Sequence, residues 1–159
     1  MNRILLPKGL SVLVSLQDFE YLKGFNWCVW SPKTSPHLHY PYRNVRINGA
    51  RKKIFMHREI LGNPVGEVDH RDGDSLNNQR ENLRTASTSQ NQANSRKHQD
   101  ATSSRYKGVT RHKGAFQAQL QCNKKRVYLG RFSTEELAAR AYNQAARAAF
   151  GEFARVNVL

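Results

Sequence analysis

Residues 68–84, Val-Asp-His-Arg-Asp-Gly-Asp-Ser-Leu-Asn-Asn-Gln-Arg-Glu-Asn-Leu-Arg, concentrate groups able to hold a cation and move a proton. A short apolar start leads into Asp69 and His70, a polar loop follows, and Asn82-Leu83-Arg84 opens a returning strand. Ser87 or Thr88 then stands where a helix N-cap belongs, so Asn91 projects from that helix's first turn. A carboxylate, an imidazole and an amide oxygen can thus converge from a hairpin and a helix. Hard oxygen donors beside one histidine suit Mg²⁺ or Mn²⁺ better than a closed zinc site. The chemistry such a group supports is phosphodiester hydrolysis. The cation stabilises charge on the phosphate and leaving oxygen while the histidine removes a proton from water. Asp69, Asp72 and Asp74 also suggest a calcium loop, but the glycine and the final Glu are misplaced for an EF-hand. His57 reads equally well as a packed histidine and as a phosphate contact. His37 and His39 with Cys28 read as a surface strand rather than a zinc site.

The elements that must position these groups are short. Ile4-Leu5-Leu6 and Val12-Leu13-Val14 flank the turn signal Pro7-Lys8-Gly9. Asp18 is placed to cap a helix through Tyr21 and Leu22, and Trp27, Val29 and Trp30 read as a packed strand. Tyr40–Ile47 and Arg51–Phe55 form a hairpin about Asn48-Gly49, and Met56–Leu61 a helix that stops at Gly62-Asn63-Pro64. Farther on, Tyr106–Arg111, Phe116–Gln121 and Arg126–Phe132 are three strand candidates with turns at 112–114 and 122–125. Ser133 and Glu136 suggest a capping box. Ala138, Ala141, Tyr142, Ala145, Ala148 and Ala149 then recur at helical spacing, with Gly151 at the C-cap position.

Charge separates two regions of the 159-residue chain. Residues 1–100 carry 15 basic and 9 acidic side chains, net +6; residues 101–159 carry 11 and 3, net +8. The polar run 95–104 between them reads as a linker, which predicts domains at 1–98 and 99–159. No apolar run is long enough to span a membrane, no N-terminal secretory stretch is visible, and two cysteines allow no disulfide framework. An intracellular, strongly basic protein follows, with double-stranded nucleic acid as the expected partner and no membrane. No coiled-coil heptad advertises a dimer surface, so a monomer is expected.

His57-Arg58, Val68-Asp69-His70, Asn78, Glu81-Asn82-Leu83-Arg84 and Asn91-Gln92-Ala93-Asn94 together resemble the HNH endonucleases, over about residues 55–95. The nearest branch is the phage and intron-associated homing enzymes with a ββα-metal site. The resemblance implies that Asp69 binds a divalent metal, Mg²⁺ or Mn²⁺, and that His70 is the general base. Asn82, 12 residues on (82 − 70), would brace the loop and the histidine. Asn91, 21 residues on (91 − 70), would complete the metal site, replacing the last His of the motif's name. The zinc-binding cysteine pairs of some relatives are missing. Phage or mobile-element origin, and hence the cytoplasm of a host cell, is what this resemblance implies.

Residues 105–132 carry eight cations and no acid. Ser104-Arg105-Tyr106-Lys107-Gly108-Val109, Phe116-Gln117-Ala118, Arg126-Val127-Tyr128-Leu129-Gly130-Arg131-Phe132 and Glu136–Tyr142 resemble the Apetala-two/ethylene-response-factor DNA-binding domain, over about residues 103–156. That family lays a three-stranded sheet on DNA with one helix behind it. The resemblance implies Arg111, Gln119, Gln121, Arg126, Tyr128 and Arg131 as DNA contacts. Thr110, Gln119 and Tyr128 stand where many relatives have Arg, Glu and Trp, so that domain's preferred sequence is not carried over. The whole reads as an α+β protein, a ββα-metal nuclease module followed by a three-stranded antiparallel sheet on one helix. The expected activity is metal-dependent, sequence-preferring DNA cleavage of the homing type, nicking one strand. The rival reading is a non-catalytic DNA-binding regulator with a decayed nuclease core. Such a core should have lost Asp69, His70 or Asn91, and all three are present.

Overall fold

The computed structural model describes residues 2–97 and 103–159, and its architecture is α+β. Strands β1 (Asn2–Leu5) and β2 (Ser11–Val14) pair antiparallel around a turn at Pro7–Gly9. Helix α1 (Leu16–Leu22) follows. Its N-cap is Ser15, not Asp18; Asp18 is buried and holds Arg80 through a salt bridge at 2.7 Å. Strands β3 (Cys28–Trp30), β4 (Tyr40–Ile47) and β5 (Ala50–Phe55) form an antiparallel sheet. Asn48 and Gly49 take positive φ at its hairpin, as a two-residue turn requires. Helix α2 (Met56–Ile60) runs from β5 and stops where Gly62 and Asn63 take positive φ.

Strands β6 (Glu67–His70) and β8 (Leu83–Ala86) make a two-stranded sheet, while the short β7 (Asn77–Asn78) adds parallel to β2. One core, built from Ile4, Leu6, Val12, Val14, Leu22, Trp27, Met56, Ile60, Val68 and Leu83, supports these elements. Helix α3 (Thr88–Asn94) begins with a full capping box between Ser87 and Gln90.

The C-terminal sheet has the order β11-β10-β9, from β9 (Val109–His112), β10 (Ala115–Cys122) and β11 (Lys125–Phe132). Helix α4 (Glu135–Phe150) packs on it through Ala138, Ala139, Tyr142, Ala146 and Phe150. Ala148 and Ala149, expected on that face, are exposed. The α4 cap is Thr134 rather than Ser133: its side chain accepts from Leu137 N at 3.2 Å. That one-residue shift seats both Glu135 and Glu136 in the first turn, where the helix dipole favours acids and where both meet Arg105. Strand β9 starts later than Tyr106 because Gly108 turns the chain with φ +74°. A Cβ at Gly108 would lie 2.1 Å from the Tyr142 ring, so glycine is required there.

The chain divides into two compact units, Met1–Thr85 and Ala86–Leu159. The boundary near residue 99 expected from the polar run lies outside the described residues. By compactness α3 belongs to the C-terminal unit. Among the described residues no helix is long and apolar enough to cross a membrane.

Candidate active site

Asp69 and His70 are the last two residues of β6, and both are buried. Successive strand residues point to opposite faces, so the carboxylate and the imidazole are presented in different directions from one strand end. Arg84, opposite on β8, donates from Nε and Nη2 to Asp69 Oδ2, each at 2.8 Å. The guanidinium thus anchors the carboxylate by one oxygen and balances its buried charge.

His70 Nε2 lies 3.4 Å from Asn78 Oδ1, and Asn78 is completely buried, with its Nδ2 bound to Ser75 O at 3.1 Å. An amide oxygen facing Nε2 places the imidazole proton there and makes Nδ1 the basic nitrogen. Burial pushes the His70 pKa down; the Asn78 bond and the charges of Asp72, Asp69 and Asp74 offset only part of that. The ring is therefore neutral at physiological pH, the state a proton acceptor needs.

Asn82 holds the loop that leaves His70. Its Oδ1 accepts from Asp72 N at 3.1 Å, and its Nδ2 donates to Asp72 Oδ1 at 3.0 Å and Asn77 O at 2.8 Å. Its backbone oxygen takes Arg71 N, and Gly73 N returns to His70 O at 2.8 Å. The Asp72 carboxylate also accepts from Asp74 N and Asn77 Nδ2. Burial raises the Asp72 pKa, but these bonds outweigh it and hold the group below its usual value. The acidic loop is thus a closed hydrogen-bonded turn.

A second histidine lies beside the first. The His57 and His70 rings are 5.4 Å apart and edge-on, with Phe55 stacked on His57 and Tyr40 against both. Burial, with His70 and Arg58 nearby, pushes the His57 pKa down to about 3. Its Nδ1 is buried and has no hydrogen-bond partner among the described residues. His57 is the packed histidine of the two readings, and its neutral ring walls one side of His70.

Asn91 lies on α3, in the C-terminal unit. Among the described residues no three His, Cys, Asp or Glu side chains group as a metal cage. The Asp69 carboxylate and the Asn91 amide, each in its own unit, are hard oxygen donors of the kind that Mg²⁺ or Mn²⁺ takes.

On the C-terminal sheet, register sorts the candidate contacts. Gln119 pairs with Tyr128, Gln121 with Arg126, and Gln117 with both Arg131 and Thr110. Leu129 has no partner at the bulge, which lets it enter the core while Tyr128 and Arg131 share the open face. Arg111 pairs with Phe116 and lies two residues from the buried Val109, so the pleat sets it on the helix side of the edge strand. Two of the eight cations expected on this sheet are engaged elsewhere. Arg105 binds Glu135 and Glu136, and the Lys107 ammonium is spent on backbone carbonyls. Asn78, Arg84 and Gln117 are the residues that sequence reasoning left without a role. Gln117 was recoverable from the period-2 alternation with Gln119 and Gln121.

Residues 62–93 match the family model described as HNH endonuclease, from the turn after α2 into α3. The chain is also 30% identical, over 151 residues, to an uncharacterized HNH endonuclease of Acanthamoeba polyphaga mimivirus, covering 94% of this chain and 76% of that one. The chain belongs to the HNH endonuclease family, whose members are nucleases acting on DNA and generally use a divalent metal.

Proposed function

We propose that this chain is a metal-dependent, sequence-preferring DNA endonuclease of the homing type that nicks one strand of a duplex, acting as a monomer. The observation that carries the reading is the Asp69–His70 pair at the end of β6. It joins an anchored carboxylate to a neutral histidine whose Nε2 is held by a buried asparagine. By motif position, Asp69 and Asn91 are the oxygen ligands of Mg²⁺, or of Mn²⁺ in its place. When bound, the cation supplies charge stabilisation on the phosphate and leaving oxygen. His70 takes the proton from the attacking water through Nδ1, and the Asn78 carbonyl steadies the imidazolium that results. Arg84 keeps the Asp69 carboxylate aimed, and Asn82 keeps the loop after His70 closed.

The C-terminal unit, resembling the Apetala-two domain, places the open sheet face on duplex DNA. Gln119, Gln121, Arg126, Tyr128 and Arg131 are the contacts, with Arg111 reaching from the edge. Supercoiled plasmid incubated with Mg²⁺ tests the reading. Nicked product should form with wild type. Asp69→Ala and Asn91→Ala should weaken metal binding, and His70→Ala should lower the rate by about 10²–10⁴-fold while sparing metal binding. Full activity of His70→Ala without an added base would refute the assignment. DNA binding without cleavage by wild type at any Mg²⁺ or Mn²⁺ concentration would favour a regulator.

A further inference from the structure

Helix α3 carries Asn91 and has only seven residues, too few for a helix to persist on propensity alone. Its order depends on what holds its ends and its buried face. The N-terminal end has the Ser87–Gln90 capping box, and Ser89 Oγ accepts from Asn123 N at 3.2 Å. The buried residues are Ala93 and Asn94, and Ala93 joins Leu120, Tyr142, Ala146 and Phe150 in one cluster. The C-terminal end takes Ser95 Oγ on Gln92 O at 2.7 Å, Arg155 N on Ala93 O at 3.3 Å, and a lysine side chain from outside the helix. Lys107 Nζ donates to Ala93 O and Ser95 O, each at 2.6 Å, and to Gln92 O at 3.2 Å. All three ammonium donors are thus spent on two carbonyls of the last turn of α3 and on that of its C-cap residue Ser95, where the helix dipole is negative. No acid shares the ammonium in these contacts. Burial, with Arg155 close by, pushes its pKa down to about 8.

The Lys107 backbone is itself clamped. Its N–H donates to Asn157 Oδ1 at 2.7 Å, and Asn157 Nδ2 returns to Lys107 O at 3.1 Å. Asn157 is fixed in turn by the buried Asn143 of α4, whose Nδ2 donates to Asn157 O and whose Oδ1 accepts from Asn157 N. Next along the chain, Gly108 fits against the Tyr142 ring with no room for a Cβ. The capping ammonium is therefore delivered from a backbone that is held on both sides.

We propose that Lys107 is a positioning residue of the nuclease: it locks the C-terminal turn of α3 so that Asn91 is presented in a fixed orientation. This rests on the reading of Asn91 as a metal ligand. A lysine next to a DNA-binding sheet would ordinarily be assigned to phosphate, and here it is committed to the helix instead.

The test compares full-length wild type with Lys107→Met, Lys107→Gln and Lys107→Arg. Hydrogen exchange reads α3 without reference to activity. Lys107→Met should speed exchange of the amides of residues 91–95 by about tenfold or more, while β10 and β11 keep their protection. In plasmid nicking, the Mg²⁺ concentration for half-maximal rate should rise by about 10- to 100-fold. Metal-free gel-shift affinity should stay as in wild type, and Lys107→Arg should recover most of the metal response. Unchanged exchange in α3, or an unchanged Mg²⁺ response with faster exchange, would overturn the proposal. So would a loss of metal-free affinity with a shallower salt dependence, which would make Lys107 a phosphate contact. If Lys107→Met does not fold, Lys107→Gln, which keeps a donor, carries the same comparison against Lys107→Arg. Absence of nicking by wild type would instead remove the metal-ligand reading, with the exchange result still deciding the cap.

Discussion

The two units place their candidate functional groups in different settings. In the first, Asp69, His70, Asn78 and Arg84 are all buried, and each is held by a side-chain or backbone partner. In the second, the candidate DNA contacts other than Arg111 lie on the open face of a sheet whose other face is packed by alanines, Leu120, Leu129, Tyr142 and Phe150. The first arrangement makes chemistry sensitive to any polar deletion, because a lost partner leaves a buried group unpaired. The second separates fold from function. Change on its open face should cost little stability, whereas on its packed face Gly108 has no room for a Cβ.

The sharpest way to break that contrast is on the packed face. Gly108→Ala combines a positive φ with a Cβ 2.1 Å from the Tyr142 ring and 2.7 Å from Gln119 O. Strain and overpacking each cost about 1–3 kcal/mol, and here they add. The second unit should lose its cooperative unfolding transition and its DNA affinity, while residues 1–85 keep theirs. Circular dichroism melts with gel shifts check this; a folded, DNA-binding Gly108→Ala would show that the packing is looser than its geometry.

Next in size is Asn82→Ala. It removes bonds to Asp72 N, Asp72 Oδ1 and Asn77 O without touching His70 directly. A displaced loop misorients the histidine, so the nicking rate should fall about 10–100-fold, less than in His70→Ala. Single-turnover rates at saturating Mg²⁺ check it. A loss equal to that of His70→Ala would mean Asn82 acts on the reacting atoms themselves.

The third prediction concerns pH. His57 is neutral in the fold with its pKa near 3, while the unfolded chain accepts a proton near 6.5. Stability from this residue is complete above pH 6.5 and declines as pH falls toward 3. The slope approaches about 1.4 kcal/mol per pH unit. His70 is lowered in the same direction, so His57→Phe should reduce the loss rather than abolish it. Denaturant midpoints of the first unit between pH 7 and 5 measure this, and an unchanged slope in His57→Phe would place the titration elsewhere.

Much of this contrast was legible in the sequence. Turn residues marked the hairpins: Asn48-Gly49 and the Asn123-Lys124 turn fall inside the segments assigned to them. The strand–loop–strand–helix order around Asp69 and Asn91 followed from where polar and apolar runs alternate. Cap identity was less legible: Thr134 and the expected Ser133 are neighbours of like capping chemistry, whereas Ser15 lies three residues before Asp18 and begins α1 without a side-chain capping bond. The pairing of Asp69 with Arg84 and of Lys107 with α3 was not legible. Each joins residues 12 or more apart, through partners that local pattern does not constrain. Arg105 and Lys107 illustrate the cost of counting charge alone, for both are basic and neither faces outward on the sheet as an uncommitted cation.

The smallest expected effect follows from that last pair and sharpens the contrast on the open face. Arg126 pairs with Gln121 in the exposed row, and Arg105 is held against Glu135 and Glu136. Arg126→Ala should weaken duplex binding by about 10- to 100-fold if it reads a base, and should relax preference at one position only. Arg105→Ala removes a cation already neutralised by two carboxylates, so its affinity should stay within about two-fold of wild type and the salt slope should not change. Gel shifts across a salt series on specific and scrambled duplexes separate the two. A uniform loss across sequences in Arg126→Ala would make it a phosphate contact. A reduced salt slope in Arg105→Ala would mean that DNA displaces the carboxylates, and the cation count of the sheet face would rise by one.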